Sequence, residues 1–210
     1  MNAVDLAAAH EERTSVRKGT DEEVPRMAGL LARAFHDDPA FTWVLRADPN
    51  RIRIMLRGFE LFLRRVWMEQ EHTYTTRSVA GVAAWELPEQ WKLGAARQLA
   101  LLPAMLRVFG RHSPRTLRAI ATLEASHPRE PHHYLAFIGV DPEWQGRGLG
   151  GALLGAVLER CDSERMPAFL EASQARNRDL YARHGFAVTE EFRLGRGAPP
   201  QWRMWREPRA

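Results

Sequence analysis

Four glycines fall within residues 146–151, directly before a stretch whose apolar residues are spaced as in a helix. Glycine lets the backbone approach a ligand closely, and the N–H groups at the start of a helix attract negative charge. The segment therefore predicts an anion-binding loop, and the chemistry of the protein depends on which anion it binds.

Two diphosphate ligands fit this spacing. The first is a dinucleotide, because Gly146 to Gly151 match G-x-G-x-x-G and Glu171, after the next predicted strand, stands where a ribose-binding acid belongs. In that fold the first glycine follows its strand almost directly, whereas "DPEWQ" separates Val140 from Gly146, and few residues remain for further strand–helix units. The second interpretation includes Gln145, so that the motif becomes Q-x-x-G-x-G between a strand and a helix.

In this second form the segment resembles the signature Arg/Gln-x-x-Gly-x-Gly/Ala of the GNAT superfamily of acyl-CoA-dependent N-acyltransferases. The resemblance implies acetyl-CoA as cosubstrate, with its pyrophosphate held by the amides of the glycine loop. The cofactor-binding residues expected from it are Ile138, Gly139, Val140, Gln145, Gly146, Arg147, Gly148, Leu149, Gly150, Gly151 and Asn177.

The resemblance extends beyond the loop. "RNRDLYARHGF" is similar to the last motif helix of the superfamily, in which an Asn touches the cofactor and a Tyr four residues later reaches its sulfur; these are Asn177 and Tyr181. "VRKGTDEEVPRMAGLLARAF", "DDPAFTWVL", "VAAWELPE", "FLEAS" and the closing Trp-x-Met resemble the branch that contains puromycin N-acetyltransferase. The similarity is strongest over 131–192 and fades over 89–125, before the cofactor half, where acceptor specificity usually resides.

A GNAT-like reaction implies that a neutral amine attacks the thioester directly. Tyr181 is expected to protonate the departing CoA thiolate, since a phenol roughly matches a thiol in acidity. A bulged strand is expected to offer a main-chain N–H to the developing oxyanion, and by resemblance the bulge falls around Ile138 to Val140. The lone Cys161, in the middle of a predicted helix, is interpreted as an apolar filler, which suits direct transfer.

The general base has two carboxylate candidates at strand ends, Glu171 first and Glu86 second. Each of them also fits a solvated acid at the end of a strand. His132 and His133 begin another strand, but adjacent strand residues face opposite ways, so they are not expected to act on one proton or one metal. Metal-binding spacings such as HExxH are absent from the sequence, and no metal is expected.

The order of predicted elements indicates an α/β fold. A short strand near Val16 precedes a helix that starts at Asp21, capped by Thr20, and a strongly amphipathic helix covers 51–69. Two strands follow, then a helical insertion over 89–125 that is expected to break at Pro103 and Pro114. The remaining elements are predicted as strand, helix, strand, helix and two antiparallel strands, which gives a GNAT-like mixed central sheet flanked by helices, with one parallel crossover.

Composition limits the organisation and the partners. Residues 14–210 are expected to form a single acetyltransferase domain after a disordered tail at 1–13. No apolar run is long enough to span a membrane and the start does not fit a signal peptide, so a cytoplasmic protein is expected. Lys18 and Lys92 are the only lysines among 30 basic residues, the net charge is +4, and the arginines are dispersed, so nucleic-acid binding is not expected.

The resulting hypothesis is an acetyl-CoA-dependent N-acetyltransferase that acts on a primary amine of a small molecule, such as an antibiotic or aminated metabolite. Acetylation of a peptide or protein amine, CoA sensing without turnover, and a nicotinamide-dependent oxidoreductase are the alternatives. A monomer or a homodimer fits equally well. The sequence contains enough tryptophans to line a pocket for a flat apolar acceptor, namely Trp43, Trp85, Trp91, Trp202 and Trp205.

Overall fold

The structure, a computed structural model, describes residues 15–209, and the predicted tail at 1–13 lies outside the described residues. One seven-stranded sheet has the order β1-β2-β3-β4-β5-β7-β6, and only the β4–β5 pair is parallel. The strands are β1 Val16–Lys18, β2 Thr73–Thr76, β3 Gly81–Glu86, β4 His133–Val140, β5 Ala168–Ala172, β6 Ala187–Arg193 and β7 Pro200–Arg206. The predicted mixed α/β sheet with one parallel crossover is confirmed.

Helices cover both faces of this sheet. They are α1 Val24–Ala34, α2 Pro39–Leu45, α3 Arg51–Phe62, α4 Ala95–Phe109, α5 Ser113–Ala125, α6 Leu149–Ser163 and α7 Ala175–Arg183. A 3-10 turn over Asp21–Glu23 precedes α1, and Thr20 and Glu23 form a reciprocal capping box there, as the predicted cap requires. A π-helical turn, Leu63–Trp67, prolongs α3 and brings Trp67 into the core.

The amphipathic prediction for 51–69 is largely correct. Met55, Phe59 and Leu63 are buried, which makes α3 a core-facing helix. Ile52 and Leu56 were predicted on the same face but are 40% and 37% exposed. They lie at the edge of the apolar stripe. Because the stripe winds slowly around a straight helix, residues at its edge turn away from the core.

The insertion over 89–125 forms α4 and α5. Pro114 lies in the first turn of α5, as predicted, but α4 continues through Pro103, so the break expected there is wrong. Pro103 removes one backbone bond, to the carbonyl of Leu99, and Leu99 is 70% exposed, so water can satisfy that carbonyl. The chain turns instead at Gly110, whose φ is +48°.

The two faces of the sheet carry separate apolar cores. One core packs α1 to α5 against β3 and β4, and the other packs α6 and α7 against β3, β4, β5 and β7. Cys161 is completely buried in the second core, and burial raises the pKa of its thiol to about 12. The interpretation of Cys161 as an apolar filler is confirmed.

Strands β4 and β5 separate partway along their length. They pair from His133↔Ala168 to Leu135↔Leu170, and beyond that point β4 pairs with β3 while β5 pairs with β7. Within the described chain the facing edges of β4 and β5 therefore have no strand partner after these residues, and a cleft opens between them. Backbone N–H groups along such an edge are available to a ligand.

A bulge in β4 lies at the start of this cleft. Ala84 pairs with Phe137 and Trp85 with Leu135, so Ala136 is the extra residue. The predicted position, Ile138 to Val140, is wrong, because those residues pair regularly with β3. The extra residue resets the alternation of side chains: Leu135 and Ile138 contact the second core, while Ala136 and Phe137 contact the first.

Candidate active site

The glycine loop leads from the end of β4 into α6. Gly146 and Gly148 have φ values of +75° and +83°, and a Cβ at either position would meet nothing within 4 Å. Their backbone is therefore left-handed and open to a ligand, which glycine alone adopts without strain. The Gln145 side-chain amide donates to the carbonyl oxygen of Val140 (3.1 Å), and this bond fixes the loop to the strand.

The first turn of α6 follows directly. Gly148 is its N-cap and provides no side-chain cap, so the N–H groups of residues 149–151 have no acceptor within the helix. A Cβ on Gly150 would lie 3.4 Å from Leu180 and one on Gly151 would lie 3.2 Å from His184, so these two glycines allow α6 to pack closely on α7. The loop and the helix start together form an anion-binding cradle.

Helix α7 brings Asn177 and Tyr181 to the cleft, one turn apart on the same face, and both line a cavity on the first-core side of the sheet. Tyr181 is 5% exposed, and burial followed by the nearby charge of Asp38 raises the pKa of its phenol well above 10. Gly185, with φ at +94°, ends the helix, as predicted. The phenol therefore remains protonated at neutral pH.

The cavity measures about 290 Å³, and its mainly apolar walls include a cluster of aromatic rings. The rings of Phe35, Phe41, Phe59 and Phe137 contact one another with centroids 5.3–6.1 Å apart. The insertion helices α4 and α5 supply part of the wall through Phe109, Thr116, Ala119, Ile120 and Leu123. The insertion over 89–125, where the resemblance fades, thus supplies part of the wall of this cavity.

Two carboxyl groups, those of Glu171 and Glu86, line the sheet end of the cavity. The Tyr134 hydroxyl donates to Glu171 (2.8 Å) and the Trp67 indole N–H donates to Glu86 (3.0 Å). Burial raises the pKa of Glu171 to about 7, although the Tyr134 bond opposes this shift. Burial also raises the pKa of Glu86 to about 8, opposed by the Trp67 bond and assisted by the charge of Glu171. Glu171 is thus partly ionised at neutral pH and can accept a proton.

The adjacent histidines face opposite ways, as predicted. His133 Nε2 lies 3.1 Å from a carboxylate oxygen of Glu164, whereas His132 lies 2.9 Å from His127, nitrogen to nitrogen. His132 Nδ1 donates to the carbonyl of Glu130 (2.6 Å), so its Nε2 accepts from His127. His127 lines the cavity, stacks on Trp91 at 3.7 Å and is kept neutral by burial, which lowers its pKa to about 3.

The tryptophan prediction is mostly wrong. Of the five, only Trp91 lines the cavity among the described residues. Trp85 is 1% exposed and packs in the second core, because strand alternation turns it away from its neighbour Glu86. Trp67, absent from the predicted set, lines the cavity because the π-helical turn redirects it.

Asp38 is a further buried residue of the cavity that the sequence interpretation missed. It is 1% exposed and accepts hydrogen bonds from the Ser173 hydroxyl (2.5 Å) and the Gln174 amide (3.0 Å), besides capping α2 through the N–H of Ala40 (2.9 Å). These bonds join α2 to the segment that starts α7, so Asp38 helps to position Asn177. Its place before a proline at a helix start was the available signal.

Residues 83–186, about half of the chain, match the acetyltransferase (GNAT) family. They include most of β3, the separated strands β4 and β5, the glycine loop and α7. The chain belongs to the GNAT acetyltransferase family.

This GNAT-family chain is 35% identical over 69 residues to an uncharacterised N-acetyltransferase of Schizosaccharomyces pombe; the match covers 32% of the chain and 28% of that protein. Its fold is similar to the crystal structure of histone acetyltransferase HPA2 and related acetyltransferase from Corynebacterium glutamicum, with a TM-score of 0.72, 24% identity, and 93% and 97% of the two chains covered. It is also similar to arylalkylamine N-acetyltransferase 2 from Aedes aegypti, with a TM-score of 0.60, 12% identity, and 92% and 98% covered.

No helix within 15–209 has the length and apolar character needed to cross a membrane. The same residues contain no group of three or more His, Cys, Asp or Glu side chains placed to hold a metal ion.

Proposed function

We propose that this GNAT-family protein transfers an acetyl group from acetyl-CoA to the primary amine of a small molecule with an apolar, ring-shaped body. One observation carries the proposal: an aromatic cavity of about 290 Å³ ends at the cleft between β4 and β5, where Glu171 and Tyr181 lie. Cavities of this size and lining suit one small ligand oriented by a few polar groups.

The cleft and the glycine loop fit acetyl-CoA. Open, left-handed glycines and free amides at the start of α6 suit a pyrophosphate, and the unpaired edge of β4 suits an extended chain with amide groups. Ile138, Gly139, Val140 and Asn177 border the remaining length of the cleft. Acetyl-CoA supplies the acetyl group as a reactive thioester.

The residues at the end of the cavity divide the proton transfers. Glu171 takes a proton from the ammonium so that the amine nitrogen becomes nucleophilic, and burial keeps its pKa in the range a base requires at neutral pH. A β4 main-chain N–H beside the bulge at Ala136 stabilises the negative charge that develops on the acetyl oxygen. The C–S bond then breaks, and Tyr181 donates its proton to the leaving sulfur. The second proton, which the nitrogen loses as the amide forms, restores the Tyr181 phenol. Cys161 is buried in the other core and takes no part.

Small acceptors fit better than peptides. Helices α2, α3, α4 and α5 all contribute to the wall of the cavity, and the unpaired edge of β4 that an extended peptide would need is the edge that acetyl-CoA occupies in this scheme. The resemblance to the puromycin N-acetyltransferase branch and the fold shared with an arylalkylamine N-acetyltransferase agree with a ring-bearing amine.

Ligand binding and turnover test the proposal together. Thermal unfolding is measured with CoA, acetyl-CoA, NAD and NADP, and we expect the two CoA compounds alone to raise the melting temperature. Release of CoA thiol is then followed with 2-phenylethylamine, an aliphatic polyamine and a peptide with a free N-terminus. Stabilisation by NAD, or turnover of the peptide in preference to 2-phenylethylamine, would contradict the proposal. Binding of acetyl-CoA without release of thiol by any amine would favour CoA sensing.

A further inference from the structure

Three side chains that line the cavity each contain a buried polar atom without a hydrogen-bond partner among residues 15–209. They are Oε2 of Glu86, Oε1 of Glu171 and Nε2 of Gln201. Glu86 and Gln201 are 6% and 4% exposed. Since buried polar atoms in folded proteins are almost always paired, three such atoms left open in side chains of one cavity indicate a ligand that supplies their partners.

The carboxyl groups and the amide require different partners. Glu171, partly ionised at neutral pH, suits the ammonium of the acceptor, which carries only donors. Glu86 has a pKa of about 8 and is mostly protonated there, so it does not select a cation. The amide nitrogen of Gln201 is itself a donor, so its partner must be an oxygen, and an ammonium does not satisfy it. An acceptor consisting of an amine and a hydrocarbon body alone would leave Gln201 buried and unpaired.

Strand register places the amide of Gln201 near the carboxyl group of Glu171. Glu171 of β5 pairs with Arg203 of β7, and Gln201 is two residues along the same face, so the two are diagonal neighbours. Diagonal neighbours in a sheet are about 7–8 Å apart at the backbone, so one small ligand can reach both side chains. The oxygen that pairs with Gln201 therefore lies within a few bonds of the amine nitrogen that pairs with Glu171.

We propose that the acceptor carries, besides its amine and ring body, a hydroxyl or carbonyl oxygen a few bonds from the amine nitrogen, and that Gln201 donates a hydrogen bond to it. The substrate class is thus ring-bearing amino alcohols and amino amides. Gln201 is a specificity-determining residue in this scheme, and the inference rests on the proposed function.

An unpaired amide also has a consequence for the protein without ligand. Replacing a buried, unsatisfied polar group by an apolar one of similar shape is neutral or stabilising, whereas replacing a paired one is destabilising. Gln201→Met keeps the length and the unbranched shape of the side chain. We therefore expect this variant to melt at the same temperature as the wild type or higher, which a purely structural role for Gln201 would not give.

The test measures binding of matched amines to the CoA-loaded protein by calorimetry. The amines are 2-phenylethylamine, 2-amino-1-phenylethanol, which adds a hydroxyl beside the amine, and tyramine, which adds one at the far side of the ring. We expect the wild type to bind 2-amino-1-phenylethanol about tenfold more tightly than 2-phenylethylamine, and tyramine no more tightly than 2-phenylethylamine. In Gln201→Met this tenfold preference should disappear, so that the two amines bind about equally tightly.

Gln70→Met is the matched control, because Gln70 also has a buried unpaired amide atom but does not line the cavity. It should retain the preference of the wild type. Equal binding of 2-phenylethylamine and 2-amino-1-phenylethanol by the wild type, or a preference that survives in Gln201→Met, would overturn the inference. Turnover is measured on the same amines, so that tight binding without release of CoA thiol counts against the proposed function and leaves the inference supported.

Discussion

Removal of the Tyr134 hydroxyl should shift the pH dependence of the reaction to higher pH while the packing of the site is retained. Tyr134 donates to Glu171 at 2.8 Å and its ring stacks on Phe169 with centroids 5.8 Å apart. Tyr134→Phe keeps the ring and removes only the donor. Because that hydrogen bond favours the ionised carboxylate, its loss raises the pKa of Glu171.

The magnitude follows from the pKa of about 7 that Glu171 has with the bond in place. A hydrogen bond to a charged group is worth about 1.5–3 kcal/mol, which corresponds to about one to two pH units. The acidic limb of the activity profile should therefore move from near pH 7 to about pH 8–9. At pH 7 the ionised fraction falls from about half to about 1–10%, so turnover should fall about 5- to 50-fold and recover by pH 9.5.

The assay is release of CoA thiol at saturating acetyl-CoA, for the wild type and Tyr134→Phe, from pH 6 to 9.5 with one amine. Taking the ratio of the two rates at each pH cancels the titration of the amine itself, since both enzymes receive the same substrate. A ratio that stays constant across this range, or an acidic limb at the same pH in both enzymes, would refute the role of Glu171 as the base. Thermal unfolding of both proteins at pH 7 checks that the variant is folded.

Three further predictions, one of them with a control variant, concern other parts of the site. Tyr181→Phe should lower kcat about 100-fold or more while the dissociation constant of acetyl-CoA changes little, and an unchanged kcat removes Tyr181 from its role. Gly148→Ala places a Cβ on a left-handed residue at a cost of about 1–2 kcal/mol and should weaken CoA binding in calorimetry about 5- to 30-fold. The control Gly155→Ala lies inside α6 with open space around it and should leave CoA binding unchanged. Equal effects of the two substitutions on CoA binding would argue that the glycine loop does not bind CoA. The pKa of Glu86 is about 8 in the folded protein and 4.5 ordinarily. Between pH 4.5 and pH 8 the folded state therefore retains a proton that the unfolded chain loses. The wild type loses stability as pH rises through this range. Glu86→Gln should therefore gain in melting temperature relative to the wild type from pH 5 to pH 8, and a constant difference would show that Glu86 titrates normally.

The local elements could be predicted from the sequence because neighbouring residues determine them. The glycine loop, the start of α6 and the cap at Thr20 depend on backbone conformations and hydrogen bonds within a few positions. The parallel crossover followed from two apolar strands that flank a helix of sufficient length. Asn177 and Tyr181 share one face of α7 because they are four residues apart.

The polar end of the cavity was decided by tertiary structure. Glu171 is bonded to Tyr134, 37 residues away, and Glu86 to Trp67, 19 residues away, and no local spacing records either pair. The bulge at Ala136 depends on how β4 aligns with β3, so its position could not be found from β4 alone.

The sequence by itself determined that an anion-binding loop joins a buried strand to a helix, and the residues before the glycines distinguished CoA from a dinucleotide as its expected ligand. Only the tertiary structure decided which side chains share the cavity. Alternation along a strand separates Trp85 from Glu86, but it does not say which face the helices of the insertion will cover. Gln201 directly precedes the closing Trp-x-Met motif but is not part of it, and it lies in the cavity because β7 pairs with β5 beside Glu171. Such contacts form between segments far apart in the chain, where packing of whole layers, rather than local conformation, sets the distances.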